Sequence, residues 1–64
     1  MVFKRRLMRE KREAKSMTQQ DLAEELDVVQ EAVSQIECGY RLPTLRQLYI
    51  MAKLFGMTMD ELVE

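Results

Sequence analysis

Apolar residues recur at intervals of three and four along most of this 64-residue chain, the spacing that places them on one face of an α-helix. No segment alternates apolar and polar residues with the period of two that is typical of a half-buried strand. Gly39 and Gly56 each follow an apolar run and can end a helix in the left-handed conformation, and Pro43 stops a helix that comes from upstream. The pattern therefore predicts an all-α fold with five helices, near residues 3–15, 19–26, 29–37, 45–55 and 59–63.

Three of the predicted helices begin with a capping box, in which a Thr side chain and a side chain three residues later each accept a hydrogen bond from the other's backbone N–H. The pairs are Thr44 with Gln47, Thr58 with Glu61 and, in a weaker form because Asp is short, Thr18 with Asp21.

The same spacing predicts which residues face the core. They are Phe3, Leu7, Met8 and Ala14 in the first helix, Leu22, Ala23 and Leu26 in the second, Val33 and Ile36 in the third, and Leu45, Leu48, Tyr49, Ala52 and Phe55 in the fourth. Ile50 and Leu54 lie off the stripe of the fourth helix, one turn apart. They are either scattered surface residues or a contact patch for a second copy or another protein.

The length predicts a single domain, residues 1–64, whose small core would gain from a partner. Its charge is unevenly distributed. Residues 1–15 carry a net charge of +5, residues 16–40 carry −6 with no Lys or Arg, and residues 41–64 are balanced. This dipole either orients the molecule on a polyanion or reflects ordinary solvated helix faces.

Several classes of function are excluded by composition. The chain has no His and one Cys, Cys38, so the usual zinc-ligand sets, His-based catalysis and an intramolecular disulfide are excluded. No apolar run approaches the ~18 residues of a membrane span, and the charges directly after Phe3 argue against a signal peptide. We expect a cytoplasmic protein that is not an enzyme and has no metal, cofactor or small-molecule ligand. Cys38 is expected to be inert and at least half exposed.

The run from Thr18 to Gly39 contains two short predicted helices joined by a four-residue turn, residues 26–29. Ala23 is small enough for the second helix to cross close to the first, and Val28 lies in the turn where it can fill the crevice between them. This is the outline of a helix-turn-helix, the motif that places its second helix in the major groove of DNA. The same run holds all the acids of residues 16–40, which conflicts with binding a polyanion.

With these helices placed, residues 7–63 resemble the lambda-repressor-like (XRE/Cro-type) helix-turn-helix DNA-binding domain family. The segments that carry the resemblance are Met17-Thr18-Gln19, Asp21-Leu22-Ala23, Val33-Ser34-Gln35-Ile36-Glu37 with Gly39, Pro43-Thr44-Leu45, and the run from Leu54 to Leu62. The resemblance implies a compact five-helix domain that reads double-stranded DNA, as a bacterial or phage transcription regulator of the repressor type.

The resemblance also implies roles for individual residues. Gln19 matches a residue that contacts a phosphate beside the groove, and Arg12 and Glu37 match an ion pair that joins the first helix to the end of the third. The outward positions of the recognition helix are matched by Gln30, Glu31, Ser34 and Gln35.

The side chains suit base readout, but cations for the phosphates are scarce. Gln pairs with adenine, Glu accepts from cytosine, and Val29 can pack on a thymine methyl. Phosphate contacts must come from Arg41 and Arg46, with Lys11, Arg12 or Lys15 as further candidates, and from neutral N–H donors at the helix starts that follow Thr18 and Thr44. Since the net charge is −1, each copy should bind weakly, and specific binding would need a homodimer on a pseudo-palindromic site.

Four positions depart from the family pattern. Asp27 stands in the turn where Gly is usual, although Asp tolerates a positive φ. Val29 replaces the Ser or Thr that caps the recognition helix, and Asp27 is expected to compensate in part. Glu31 is a carboxylate where many relatives have a neutral or basic residue, and Ser16 replaces a Gly.

Two functions therefore stay open. The first is a transcription regulator that binds DNA, and the second is a protein-interaction module, antitoxin-like or adaptor, on the same fold. The acidic recognition region and the Ile50/Leu54 pair favour the second. The residues predicted to contact a second copy or another partner are Leu42, Ile50, Leu54, Leu62 and Val63.

Overall fold

The computed structural model describes all 64 residues as four α-helices followed by one 3-10 turn. The helices are α1 (Arg5–Ala14), α2 (Gln19–Leu26), α3 (Gln30–Cys38) and α4 (Leu45–Phe55), and the 3-10 turn is Asp60–Leu62. The all-α class is confirmed. The predicted count of five helices is not, because residues 59–63 form only the short 3-10 turn.

The two chain ends pair with each other, and this pairing explains why the first predicted helix starts later and the last is shorter than expected. Phe3 and Val63 form an isolated antiparallel β-bridge. Two backbone hydrogen bonds of 2.8 Å flank it, from the N–H of Lys4 to the C=O of Leu62 and from the N–H of Glu64 to the C=O of Val2. Because the backbone at both ends is used in this pairing, α1 begins at Arg5 instead of residue 3, and the last helix stops after one turn.

The local signals at the helix ends act as the sequence predicts. All three capping boxes form, with hydrogen bonds of 2.9–3.3 Å in both directions. Gly39 and Gly56 follow α3 and α4 in the left-handed conformation, at φ of 84° and 67°. Asp27 and Ser16 take positive φ values of 57° and 56°, so the turn before α3 forms without Gly.

A single apolar core receives residues from every helix and from both chain ends. Its buried members are Phe3, Met8, Leu22, Ala23, Leu26, Val33, Ile36, Leu48, Met51, Ala52 and Leu62. The core residues predicted for α2 and α3 are all buried. In α1, Leu7 is half-buried, and Ala14 is exposed because it lies on the outer side of the final turn.

The predicted core face of α4 is wrong at two positions. Leu45 and Tyr49 are 73% and 51% exposed, whereas Met51, which lies outside the predicted stripe, is fully buried. α4 is apolar around most of its circumference, so its sequence is compatible with more than one buried stripe. Packing against α1 and α2 selects the stripe that contains Leu48, Met51 and Ala52.

Arg12 and Glu37 form an ion pair that is almost closed to solvent. Arg12 Nε donates to Glu37 Oε2 at 2.7 Å and Nη2 donates to Oε1 at 3.3 Å, with side chains only 8% and 5% exposed. Arg12 Nη1 donates to the backbone C=O of Met17 at 2.6 Å. The pair therefore joins α1 to the last turn of α3 and fixes the loop before α2, with hydrogen bonds that compensate for burying its charges.

We expect Arg12→Met to lower the free energy of unfolding by about 3–5 kcal/mol, because it leaves the Glu37 carboxylate buried without its cation. The double variant Arg12→Met/Glu37→Met removes both charges, and it should be more stable than either single variant. Urea unfolding followed by circular dichroism measures all three. A loss in the double variant equal to the two single losses added together would contradict this coupling.

The exposed pair of Arg9 and Glu13 is the matched control. Its Nε–Oε2 distance is 3.4 Å, and its side chains are 63% and 55% exposed. Arg9→Met should lower the free energy of unfolding by less than about 1 kcal/mol, since solvent screens an exposed pair. A loss of stability as large as that of Arg12→Met would show that burial does not explain the large effect expected for the Arg12–Glu37 pair.

Glu61 gives the stability a defined dependence on pH. The backbone N–H and the hydroxyl of Thr58 both donate to Glu61 Oε1, at 2.9 and 3.1 Å, and the charges of Lys11 and Lys4 add to the effect. Together they lower the pKa of Glu61 below its ordinary value of 4.5.

Because this pKa is lower in the folded chain than in the unfolded chain, the stabilisation is complete above the ordinary pKa. It is lost as the pH falls through the folded-state pKa. The variant Glu61→Gln retains a side-chain oxygen that can accept from Thr58 but has no charge, so we expect the stability advantage of the wild type over it to shrink as the pH falls through the folded-state pKa. Thermal unfolding at several pH values between neutral and acid measures it, and a constant difference would refute the assignment.

Candidate nucleic-acid interface

α2 and α3 meet across a tight turn. The positive φ of Asp27 redirects the chain, and the N–H of Val28 donates to the C=O of Ala23 at 2.9 Å. Ala23 is fully buried, which lets α3 approach closely, and Val28 packs half-buried against the core. Val29 is in the extended conformation and α3 begins after it. This backbone is that of a helix-turn-helix.

The residues predicted to contact bases lie together on the outer side of α3. We call this set the reading surface; it consists of Val29, Gln30, Glu31, Ser34 and Gln35. The first three are exposed and the last two are half-buried. Arg41, in the loop after α3, lines the same shallow depression as Val29, Glu31 and Gln35. α2 and α3 contain no Lys or Arg, so the cation beside the reading surface comes from the loop that follows α3.

The N-terminus of α3 has no side-chain cap. Val29 cannot accept a hydrogen bond through its side chain, and Asp27 does not take its place as the sequence led us to expect. The first backbone N–H groups of α3 are consequently not capped by a side chain, and they carry the positive end of the helix dipole.

A chain of side-chain hydrogen bonds joins the reading surface to the buried ion pair. Gln30 Nε2 donates to Gln19 Oε1 at 3.2 Å, and Gln19 Nε2 donates to Glu37 Oε1 at 3.0 Å. We call these three residues together with Arg12 the Arg12 network. Gln30 uses one of its two N–H groups in this network, so its second N–H and its Oε1 stay available. The Gln30 amide is therefore oriented by the half-buried Gln19, which is held in turn by the Glu37 carboxylate of the ion pair.

The residues predicted to contact phosphates fall into two groups. Arg41 and Arg46 are exposed, and neither forms an ion pair. Thr18 and Thr44 use their hydroxyls in capping boxes, and Gln19 uses one N–H in the Arg12 network. The free donors at these helix starts are therefore the backbone N–H groups of the first two residues of α2 and of α4, together with the second N–H of Gln19.

Three of the six acids of residues 16–40 are engaged away from the reading surface. Only Glu31 among these acids lines the depression there. Glu37 is neutralised in its ion pair, Asp21 accepts from the backbone in the capping box of α2, and Glu25 lines a separate depression against α4. The conflict between the acidic composition and a nucleic-acid role is thus much smaller in three dimensions than along the chain.

The predicted partner surface needs one correction. Leu62 is fully buried, because the 3-10 turn packs its side chain against α1, so it cannot contact another molecule. Leu42 is 58% exposed, and Ile50, Leu54 and Val63 are half-buried at the edge of the core.

Sequence reasoning missed two features near these surfaces. Leu45 and Tyr49 present an exposed apolar strip on α4, and the ammonium of Lys53 lies 5.5 Å from the centre of the Tyr49 ring. Arg5 Nη1 donates to the backbone C=O of Glu37 at 3.0 Å. The all-round apolar character of α4 was a signal for the first, whereas nothing in the spacing of Arg5 and Glu37 indicates the second.

No group of three or more His, Cys, Asp or Glu side chains is arranged to hold a metal ion. Cys38 is exposed and free. None of the helices combines the length and the apolar character needed to cross a membrane.

Known proteins give independent information on this arrangement. The HTH-type transcriptional activator BcrR of Enterococcus faecalis is 40% identical to this chain over 52 residues, which are 81% of this chain and 26% of that protein. The chain thus spans about a quarter of the length of this relative. No solved structure matches the chain. A family model described as helix-turn-helix matches residues 8–62, a region that includes α2, the turn, α3 and α4. The chain belongs to this helix-turn-helix family, as its lambda-repressor-like motifs indicate.

Proposed function

We propose that this chain binds double-stranded DNA at specific sequences and regulates transcription, with α3 lying in the major groove. Membership of the helix-turn-helix family and the likeness to a transcriptional activator support a regulator that binds DNA. The observation that carries the finer proposal is the Gln30 amide, which the Arg12 network orients while leaving one donor and one acceptor free.

Adenine is the base that suits this amide. In the major groove adenine presents an acceptor, N7, beside a donor, the N6 amino group, and a Gln amide can bind both at once. The free N–H of Gln30 would donate to N7 while its Oε1 accepts from N6. Because Gln19 already restrains the side chain, less conformational entropy is lost on binding.

The other residues of the reading surface add contacts of different chemistry. The Glu31 carboxylate can accept from the amino group of cytosine, and the exposed Val29 can pack on the methyl group of thymine. Ser34 and Gln35 lie about one turn further along α3 and supply a hydroxyl and an amide for neighbouring bases. Glu31 also disfavours any base edge that presents only acceptors, so it contributes to specificity by exclusion.

Affinity in this proposal comes mainly from Arg41 and Arg46 and from helix N-termini that face phosphates. Two unpaired arginines are few for a DNA-binding surface, and the net charge of −1 adds no general attraction. We therefore propose that two copies act together as a homodimer on a pseudo-palindromic site, with half-sites about one helical turn apart. If the chain acts as a repressor, it should lower the expression of a reporter gene whose promoter contains the selected site.

We expect selection from a random duplex library, at about 100 mM salt, to enrich a sequence with two-fold symmetry and an adenine in each half-site. Scrambled duplexes of the same composition are the control. If the folded protein enriches no sequence and binds scrambled and selected duplexes equally, the proposal fails, and the protein-interaction alternative is favoured.

Two variants separate base reading from phosphate binding. Gln30→Ala should relax the preference at the adenine by about 1–3 kcal/mol, and Arg41→Ala should weaken all duplexes alike and lower the salt slope of the binding constant by about one. Gln20→Ala is the matched control, because Gln20 lies on α2, and its side chain pairs only with Glu24. Titration of selected and singly mismatched duplexes at several salt concentrations measures these effects. Equal behaviour of Gln30→Ala and Gln20→Ala would contradict the proposed role of Gln30.

A further inference from the structure

A depression of about 210 Å³ lies where the start of the chain meets the end of α3. Its lining comes from three separate segments: residues 1–5, then Ile36 of α3 with Gly39 just after the helix, and then Arg41 and Leu42 in the following loop. We call it the arginine-rimmed pocket. Because these segments are far apart in the sequence, no pattern along the chain predicts a ligand site here.

The floor and walls of the arginine-rimmed pocket are apolar. Phe3 and Ile36 form the floor and belong to the buried core, with exposed fractions of 7% and 1%. Met1, Val2 and Leu42 form the walls and are 63%, 58% and 58% exposed. Three large apolar side chains in contact with water around one opening favour the binding of an apolar body that displaces this water.

Arg5 is held at the rim of the pocket by the end of α3. Its Nη1 donates to the backbone C=O of Glu37 at 3.0 Å, which offsets the negative end of the helix dipole. Its guanidinium lies over Gly39, where a Cβ would be only 3.2 Å from Arg5 Nε. This hydrogen bond uses one of the five N–H groups of the guanidinium, so the others stay free for a second acceptor.

Arg41 supplies the second cation of the rim. Like Arg5 it is exposed and forms no ion pair. No acidic side chain lines the pocket, and residues 1–15, which contribute Arg5, carry a net charge of +5. The pocket is therefore complementary to an anion. The planar guanidinium suits a carboxylate in particular, because a carboxylate can accept two parallel hydrogen bonds from it.

We propose that the arginine-rimmed pocket binds a small carboxylic acid with an apolar body, of the kind that a medium-chain fatty acid represents. The apolar body lies on Phe3 and Ile36, and the carboxylate accepts hydrogen bonds from Arg5 and Arg41. The volume of about 210 Å³ is below the roughly 300–1,000 Å³ of sites for drug-sized ligands, so a short ligand is favoured.

Arg41 connects this pocket to the reading surface, because it also lines the depression there. A carboxylate bound to Arg41 would keep its guanidinium from a phosphate, so the ligand should weaken duplex binding several-fold. This consequence rests on the proposed function, whereas binding of the carboxylic acid does not.

Calorimetric titration of the chain with octanoate, without DNA and far below the concentration at which micelles form, tests the proposal. Octanoate should bind at one site. Octanol has the same chain without the charge, and acetate has the charge without the chain, so each should bind at least tenfold more weakly.

Variants of the rim and the wall locate the site. Arg5→Met should weaken octanoate binding at least tenfold, since it removes the charge and the hydrogen-bond donors. Arg6→Met is the matched control, because Arg6 is exposed and lines a different depression. Leu42→Ser should also weaken binding, whereas Leu45→Ser, at an exposed position outside the pocket, should not. Circular dichroism verifies that each variant is folded.

Several results would overturn the proposal. They are a wild type that binds no octanoate at millimolar concentration, octanol or acetate binding as tightly as octanoate, and an equal loss in Arg5→Met and Arg6→Met. Binding of a peptide with adjoining Leu and Glu side chains, by a chain that does not bind octanoate, would assign the pocket to a protein partner instead.

The effect on DNA is measured separately, by titrating the selected duplex with and without saturating octanoate. Unchanged duplex affinity would refute the competition for Arg41. Because the calorimetry needs no DNA, failure of DNA recognition would leave the ligand site standing, and failure of the calorimetry would leave DNA recognition standing.

Discussion

The buried pair of Arg12 and Glu37 is the interaction on which the rest of the molecule depends. One carboxylate receives hydrogen bonds from Arg12 of α1 and Gln19 of α2, and its own residue lies in the last turn of α3. Three helices thus share a single anchor, and the anchor extends through Gln19 to Gln30 on the surface. The orientation of a side chain proposed to read DNA is therefore coupled to the integrity of the core. Changes that loosen Glu37 would alter recognition without touching the nucleic acid.

The acidic side chains of residues 16–40 lie on several different faces of the domain. Of the six acids that make residues 16–40 negative, Asp21 is used in a cap, Glu37 in a buried ion pair and Glu25 lines a depression against α4, while Glu31 lies on the reading surface. Arg41 comes from outside this segment and lies against it. A near-neutral chain can thus present surfaces on which charges of both signs lie close together.

The sequence predicted best what is decided within a few residues. The capping boxes and the glycines at the ends of α3 and α4 depend on contacts three to five residues apart, and they form as predicted. The buried stripe of α4 was wrong because many of its faces are apolar, and neighbouring helices decide between them. The contact of Arg12 with Glu37 joins residues 25 positions apart, and only the family resemblance pointed to it. The positions of the predicted base-contacting residues follow from helix geometry, whereas the link from Gln30 to Gln19 required the structure.

The bridge between Phe3 and Val63 has a mechanical and topological consequence. Because the chain enters and leaves the domain at adjacent backbone positions, the whole fold behaves as a closed loop with a single point of attachment. Such a module can be inserted into a surface loop of another protein, or have its ends joined and reopened elsewhere, with little rearrangement of its core. The same geometry makes it weak under tension. A force that separates the ends would load the bond between Glu64 and Val2 first and the bond between Lys4 and Leu62 next, so the bridge would open one hydrogen bond at a time.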